Sequence, residues 1–133
     1  MSAVHHLSKA LDSANGATAV LASAWDAFDL AGQAADAVAW ETGSDELQAL
    51  TAAQACTDAR ALLPIPQTGR PAARPAVGRE ATALAPYVGL MRRTGTALAG
   101  LDTGEDAESR RALQEASRLA AVAADALGAV RKP

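Results

Sequence analysis

Residues 4–40, VHHLSKALDSANGATAVLASAWDAFDLAGQAADAVAW, decide the fold. Val4, Leu7, Leu11, Ala14, Thr18, Leu21, Trp25, Phe28, Gly32, Ala35 and Ala39 recur in steps of three and four. A loop usually resets such a phase, so the spacing predicts one long helix or two nearly collinear pieces. Ser2 is placed to cap it, and it is expected to run to about Glu41. A continuous helix would measure about 57 Å at 1.5 Å per residue. Asn15-Gly16 is its one serious interruption, because Asn followed by Gly reads as a C-cap. The alternative is a break there.

An apolar stripe needs apolar partners, and similar stripes follow. Thr42-Gly43-Ser44 reads as a turn, with Gly43 suited to a left-handed residue and Ser44 to the next N-cap. A second helix is expected from about Asp45 to Leu63. Leu47 and Leu50 suggest one face of it; Ala49, Ala52, Cys56, Ala59 and Leu63 suggest a neighbouring face. Together they make a wide surface, suited to a helix touching two others. Pro64 ends it and opens a stretch with four prolines through Pro75, favouring extended, semi-rigid backbone.

The third helix is expected over about Ala76–Ala99, with Val77, Ala81, Leu84, Val88, Met91, Gly95 and Leu98 in heptad spacing. Pro86 lies inside that run and should kink the helix or mark a restart near Ala85, because its ring clashes with the preceding turn. After Gly100–Gly104, with Asp102 or Thr103 as cap, a fourth helix is expected from about Glu105 to Val130. Leu113, Ala116, Ala120, Ala123, Leu127 and Val130 form its stripe.

The expected architecture is all-α: an antiparallel four-helix bundle in one domain, residues 1–133, or five helices if the first breaks at Asn15-Gly16. One hairpin covers 1–63, a Pro/Arg-rich linker 64–75, and a second hairpin 76–130.

Composition supports this. Alanine fills 36 of 133 positions and is the best helix former. The aromatic residues are Trp25, Phe28, Trp40 and Tyr87. Alanine methyls bury little area each, at roughly 25 cal/mol per Å2. Modest stability, or stability that depends on oligomerisation, is therefore expected. The Ala- and Arg-rich, Lys-poor usage resembles that of chains from GC-rich bacteria.

Net charge is −3. Residues 1–63 hold eight acids and two bases, and residues 64–133 hold seven acids and ten bases. The halves are expected to pack together and offset one another. Nucleic acid is not an expected partner, since the chain is net acidic and lacks interleaved aromatic and basic residues. The first residues lack the charged-then-apolar order of a signal peptide. The longest uncharged apolar-rich stretch is about half of the ~20 residues a membrane span needs. A cytoplasmic, membrane-free protein is expected.

No residue pattern specifies a reaction. Cys56 is the only cysteine, which excludes a disulfide within the chain and a cysteine metal cluster. It reads as a small buried hydrophobe. No Glu stands three residues before a histidine, so a di-iron bundle is excluded. Phosphate loops, nucleophile elbows and zinc-protease helices are missing. No cofactor or metal is expected. His5-His6 falls on the solvent side, where adjacent histidines do not converge on one metal.

His5-His6-Leu7-Ser8-Lys9-Ala10-Leu11 resembles the phospho-accepting helix of histidine kinases and phosphotransfer proteins. Those families carry an exposed histidine on a four-helix bundle, with leucines two and six residues on. The resemblance implies His5 as acceptor beside Leu7 and Leu11. His6 replaces the usual acid, and Ala10 the usual proline.

Two further groups qualify as sites. Asp26, Asp29, Asp36 and Trp40 share one side of the first helix, a ridge for a basic partner. The plainer reading is a solvated face, or pairing with Arg92, Arg93, Arg110 or Arg111. Trp25, Phe28 and Met91 are simplest as core, and otherwise line a small apolar pocket with Tyr87. Arg70, Arg74 and Arg79 dot the linker, where they keep it soluble or meet an acidic group.

The leading expectation is a non-enzymatic helical bundle that works by protein–protein contact, as a homodimer, adaptor or regulatory partner. A small apolar-ligand-binding bundle is second, and a phosphotransfer-like protein third.

Overall fold

The computed structural model describes residues 3–13, 16–39, 46–63, 84–101 and 107–129. Among them all regular structure is helical: α1 (Ala3–Ser13), α2 (Gly16–Ala39), α3 (Glu46–Ala61), α4 (Ala85–Ala99) and α5 (Ala107–Ala129). No helix among these residues is long and apolar enough to cross a membrane.

The first expected helix is two elements. α1 ends at Ser13 and α2 begins at Gly16, so preserved heptad phase does not guarantee one helix. α1 packs on both α2 and α4. Leu11 is buried and Leu7 packs against the core. On the opposite side Asp12 is exposed and receives both its hydrogen bonds from Arg93 Nη1 of α4, at 2.9 and 2.8 Å. This ion pair joins the acidic and basic halves of the sequence. The Leu7–Leu11 end of the stripe thus finds cover inside the chain.

α2 is buried around most of its circumference. The expected stripe holds at Phe28, Ala35 and Ala39. A second row, Val20, Ala24, Ala27, Ala31, Ala34 and Val38, is buried beside it. The reason is topological: α2 contacts α1, α3 and α4 at once, and alanine methyls let three neighbours approach.

α3 carries Glu46 in its first turn and Arg60 in its last, each opposite in sign to the helix-end charge beside it. Its buried face is Ala49, Ala52, Ala55, Cys56 and Ala59. Leu47 and Leu50 do not join that face; they are 75 % and 41 % exposed. The helix does touch two neighbours, α2 and α5, but alanines make the contact. The last turn tightens, with the Leu62 and Leu63 amides donating to the Ala59 and Arg60 carbonyls at 3.1 and 3.2 Å.

Residue pairs fix the direction of each hairpin. Arg60 meets Asp29 and Cys56 meets Gly32, so α2 and α3 run in opposite senses. Arg92 bonds Asp125 at 3.1 Å, Gly95 faces Ala120, and Gly128 faces Val88. α4 and α5 are antiparallel likewise.

α4 starts at Ala85, with Pro86 in its first turn. Proline is tolerated there because the first amides have no intrahelical acceptor. The restart therefore replaces the kink, and the expected start at Ala76 lies outside the described residues, as does the linker 64–75. The amides of Tyr87 and Val88 both reach the Leu84 carbonyl, at 2.9 and 3.1 Å. Leu84, Met91, Gly95 and Leu98 are buried as the stripe requires. Thr94 is buried too, its hydroxyl donating to the Leu90 carbonyl at 2.8 Å, which leaves no orphaned donor. On α5, Leu113, Ala116, Ala120, Ala123 and Leu127 are buried as expected; Leu119, Ala124 and Ala126 widen the face. The Asp102 or Thr103 cap and Val130 lie outside the described residues.

At Gly95 α4 and α5 approach closely. A Cβ there would meet Ala120 Cβ at 3.3 Å and the Ser117 carbonyl oxygen at 3.4 Å. The gap is bridged instead by the Ser117 hydroxyl, which donates to the Gly95 carbonyl at 2.8 Å.

Candidate functional site

Two surface features stand out from this frame, one on each side of α3. The first lies between α2 and α3. Asp29 follows Phe28 on α2, at the edge of the buried arc, so the helix carries its carboxylate into the interior. A buried carboxylate needs a counter-charge or hydrogen bonds. Arg60, in the last turn of α3, supplies the charge: its Nη1 donates to Asp29 Oδ1 at 2.5 Å. Gln33, one turn along α2, donates from Nε2 to Asp29 Oδ2 at 3.0 Å. The other side of the Arg60 guanidinium lies over the Trp25 ring, 5.3 Å from its centroid, a cation–π contact.

Beside this pair opens a pocket of about 230 Å3. Phe28, Gly32 and Cys56 contribute its apolar lining; Asp36, Thr57 and Arg60 contribute polar groups. Gly32 permits the close approach of the two helices here, since a Cβ would lie 3.3 Å from Cys56 Cβ. Burial pushes the Cys56 thiol up to about 12, against a small opposing pull from Arg60. The thiol therefore stays protonated near neutral pH, as expected of a structural cysteine, and its sulfur contacts that of Met91 at 4.0 Å.

The second feature is a shallow groove of about 460 Å3 between α3 and α5. Leu47, Leu50, Leu119 and Val122 supply its apolar lining, with Gln54 and Asp58 at its polar side. Gln54 donates to Asp58 at 2.8 Å. Elsewhere on α5 an exposed pair, Glu115 and Arg118, is doubly hydrogen-bonded at 2.7 and 2.6 Å. That bonding, with the guanidinium charge, holds the Glu115 carboxyl below its usual range.

The candidate residues of the sequence are thereby sorted. Asp29 is buried, Asp26 half-buried and Asp36 exposed, so the three acids are not one uniform ridge. Trp40 lies outside the described residues. Asp29 pairs with Arg60, while Arg92 and Arg93 serve Asp125 and Asp12. Phe28 and Met91 are fully buried, and Trp25 and Tyr87 pack half-buried against the core; of the four, Phe28 also lines the α2–α3 pocket. His5 and His6 fall within α1, but their side chains lie outside the described residues, as do Arg70, Arg74 and Arg79. Among the described residues no group of three or more His, Cys, Asp or Glu side chains is placed to hold a metal.

Sequence reasoning passed over Arg60. Its signal was its position: one of two basic residues in a mostly acidic hairpin, in the last turn of α3 and one turn after Cys56 on the buried face.

No protein family model, curated protein or solved structure matches the chain. Its class is defined by its own geometry: an all-α protein with a partly buried ion pair between α2 and α3 and an apolar groove between α3 and α5.

Proposed function

We propose that the protein works through protein–protein contact, as a homodimer formed on the α3–α5 face. In this reading α2 to α5 make an antiparallel four-helix bundle with α1 packed against it, and the chain is a non-enzymatic cytoplasmic component.

The observation that supports the reading is the pairing of knob and hollow. Leu47 and Leu50 are exposed large apolar residues, and they border a groove whose other wall holds Leu119 and Val122. A twofold dimer uses the same patch on both subunits, so the patch must offer both a projection and a recess. This one does. A leucine left in water forgoes about 1.5–3 kcal/mol of burial energy, and an alanine-rich core has little to spare.

Light scattering on the full chain tests the reading. A dimer is expected, reverting to monomer in the double variant Leu47→Glu, Leu50→Glu. A monomer at every concentration, or a dimer untouched by both charges, overturns it.

A further inference from the structure

The pocket between α2 and α3 has polar walls whose hydrogen-bonding capacity can be counted. The Asp29 carboxylate accepts from Arg60 on Oδ1 and from Gln33 on Oδ2. One of the two Gln33 amide N–H donors goes to Asp29, and the Gln33 carbonyl oxygen remains as an acceptor. The Thr57 hydroxyl donates to the Ala53 carbonyl at 3.1 Å, so the pocket meets only its lone pairs. Asp36 is exposed at the mouth. Two carboxylates and one guanidinium line the cavity, and Asp29 already balances the guanidinium. The uncompensated charge is that of Asp36.

From this count we infer that the pocket binds a small primary ammonium compound with a short alkyl tail. The ammonium group sits among Asp36, the Gln33 carbonyl oxygen and Thr57 Oγ, which accept its three N–H donors. The tail lies along Gly32 and Ala53, the accessible apolar part of the lining. Arg60 keeps further N–H donors, but an anion would still meet two carboxylates against one guanidinium. A purely apolar molecule would cover those oxygens without satisfying them, which is costly. The volume of about 230 Å3 is below the usual ~300–1,000 Å3 of drug-sized sites, so the ligand is small. This site lies on α2–α3, stands apart from the α3–α5 groove, and does not depend on dimerisation.

A two-dimensional NMR titration of the full chain tests it, with n-butylammonium, n-butyrate and n-butanol as probes. Saturable shifts of the Gly32, Gln33 and Thr57 amides are expected with n-butylammonium alone. Asp36→Asn is expected to weaken that binding about tenfold, as loss of a charged hydrogen-bond partner does. Asp125→Asn, an exposed carboxylate on α5, should leave it unchanged. Thr57→Val gives a second, uncharged check and is expected to weaken it. The inference is overturned by equal response to n-butanol or n-butyrate, by unchanged affinity in Asp36→Asn, or by no saturable response to n-butylammonium.

Discussion

Arg60 and Asp29 stand 31 positions apart in the chain and 2.5 Å apart in the fold. The partners are unequal. The Asp29 side chain is 7 % exposed and that of Arg60 is 32 % exposed. Removing one side of a buried pair is costly because the other charge stays behind. Arg60→Ala strands the buried carboxylate and also uncovers Trp25. Asp29→Asn strands a guanidinium that water can reach. Losses of about 2–3 kcal/mol and about 1 kcal/mol are expected, with the first the larger. Urea unfolding at neutral pH ranks them, and the reverse order would refute the assignment.

Two glycines of α4 should respond oppositely to the same change. Gly89 is exposed, with nothing within 4 Å of an added Cβ. Gly89→Ala should stabilise by about 0.5–1 kcal/mol through helix propensity. At Gly95 the methyl would press on Ala120 and on the Ser117 carbonyl. Gly95→Ala should cost about 1–3 kcal/mol by overpacking, less the same propensity gain. Paired thermal melts decide it.

Alkali should loosen the fold through Cys56. Its thiol titrates near 12 in the folded chain against an ordinary 9.0. Below pH 9.0 it is protonated in both states and contributes no slope. Above it the unfolded chain releases a proton that the folded chain keeps, so stability falls as pH rises, by about 1.4 kcal/mol per pH unit. Cys56→Ala should unfold with a shallower alkaline slope between about pH 9 and about pH 10.5, whatever it costs near neutrality. Identical slopes would place the thiol in water.

If the α3–α5 face joins two subunits, melting temperature must depend on protein concentration. The wild-type chain should melt higher when more concentrated, and the Leu47→Glu, Leu50→Glu variant should not. Because both leucines are exposed within one chain, the variant should lose little stability when both are dilute, within about 0.5 kcal/mol.

The helices were legible from spacing because alanine and leucine periodicity is a local property. The break before Gly16 was legible only as the alternative that Asn15-Gly16 offers, since a heptad phase can resume by chance across two residues. At Leu47 and Leu50 the misreading had a different source. Two leucines beside an alanine face look like core in sequence, yet in the fold Ala49, Ala52 and Ala55 fill the contacts of α3 and leave no room for them. The Asp29–Arg60 pair was beyond reach because its register is set by how α2 and α3 align, and Gly32 opposite Cys56 fixes that alignment only once both helices are in place. Asp29 looked solvated because one stripe was counted, whereas α2 buries two.

Of the 29 apolar residues buried among the described ones, 15 are alanines. An alanine has no side-chain torsion to change. About half of this interior therefore lacks the rotamer hops by which most cores absorb a disturbance, and strain at one contact passes into the displacement of a whole helix. In α3, whose buried face is four alanines and Cys56, an added methyl is therefore met by a shift of the helix axis rather than by local repacking.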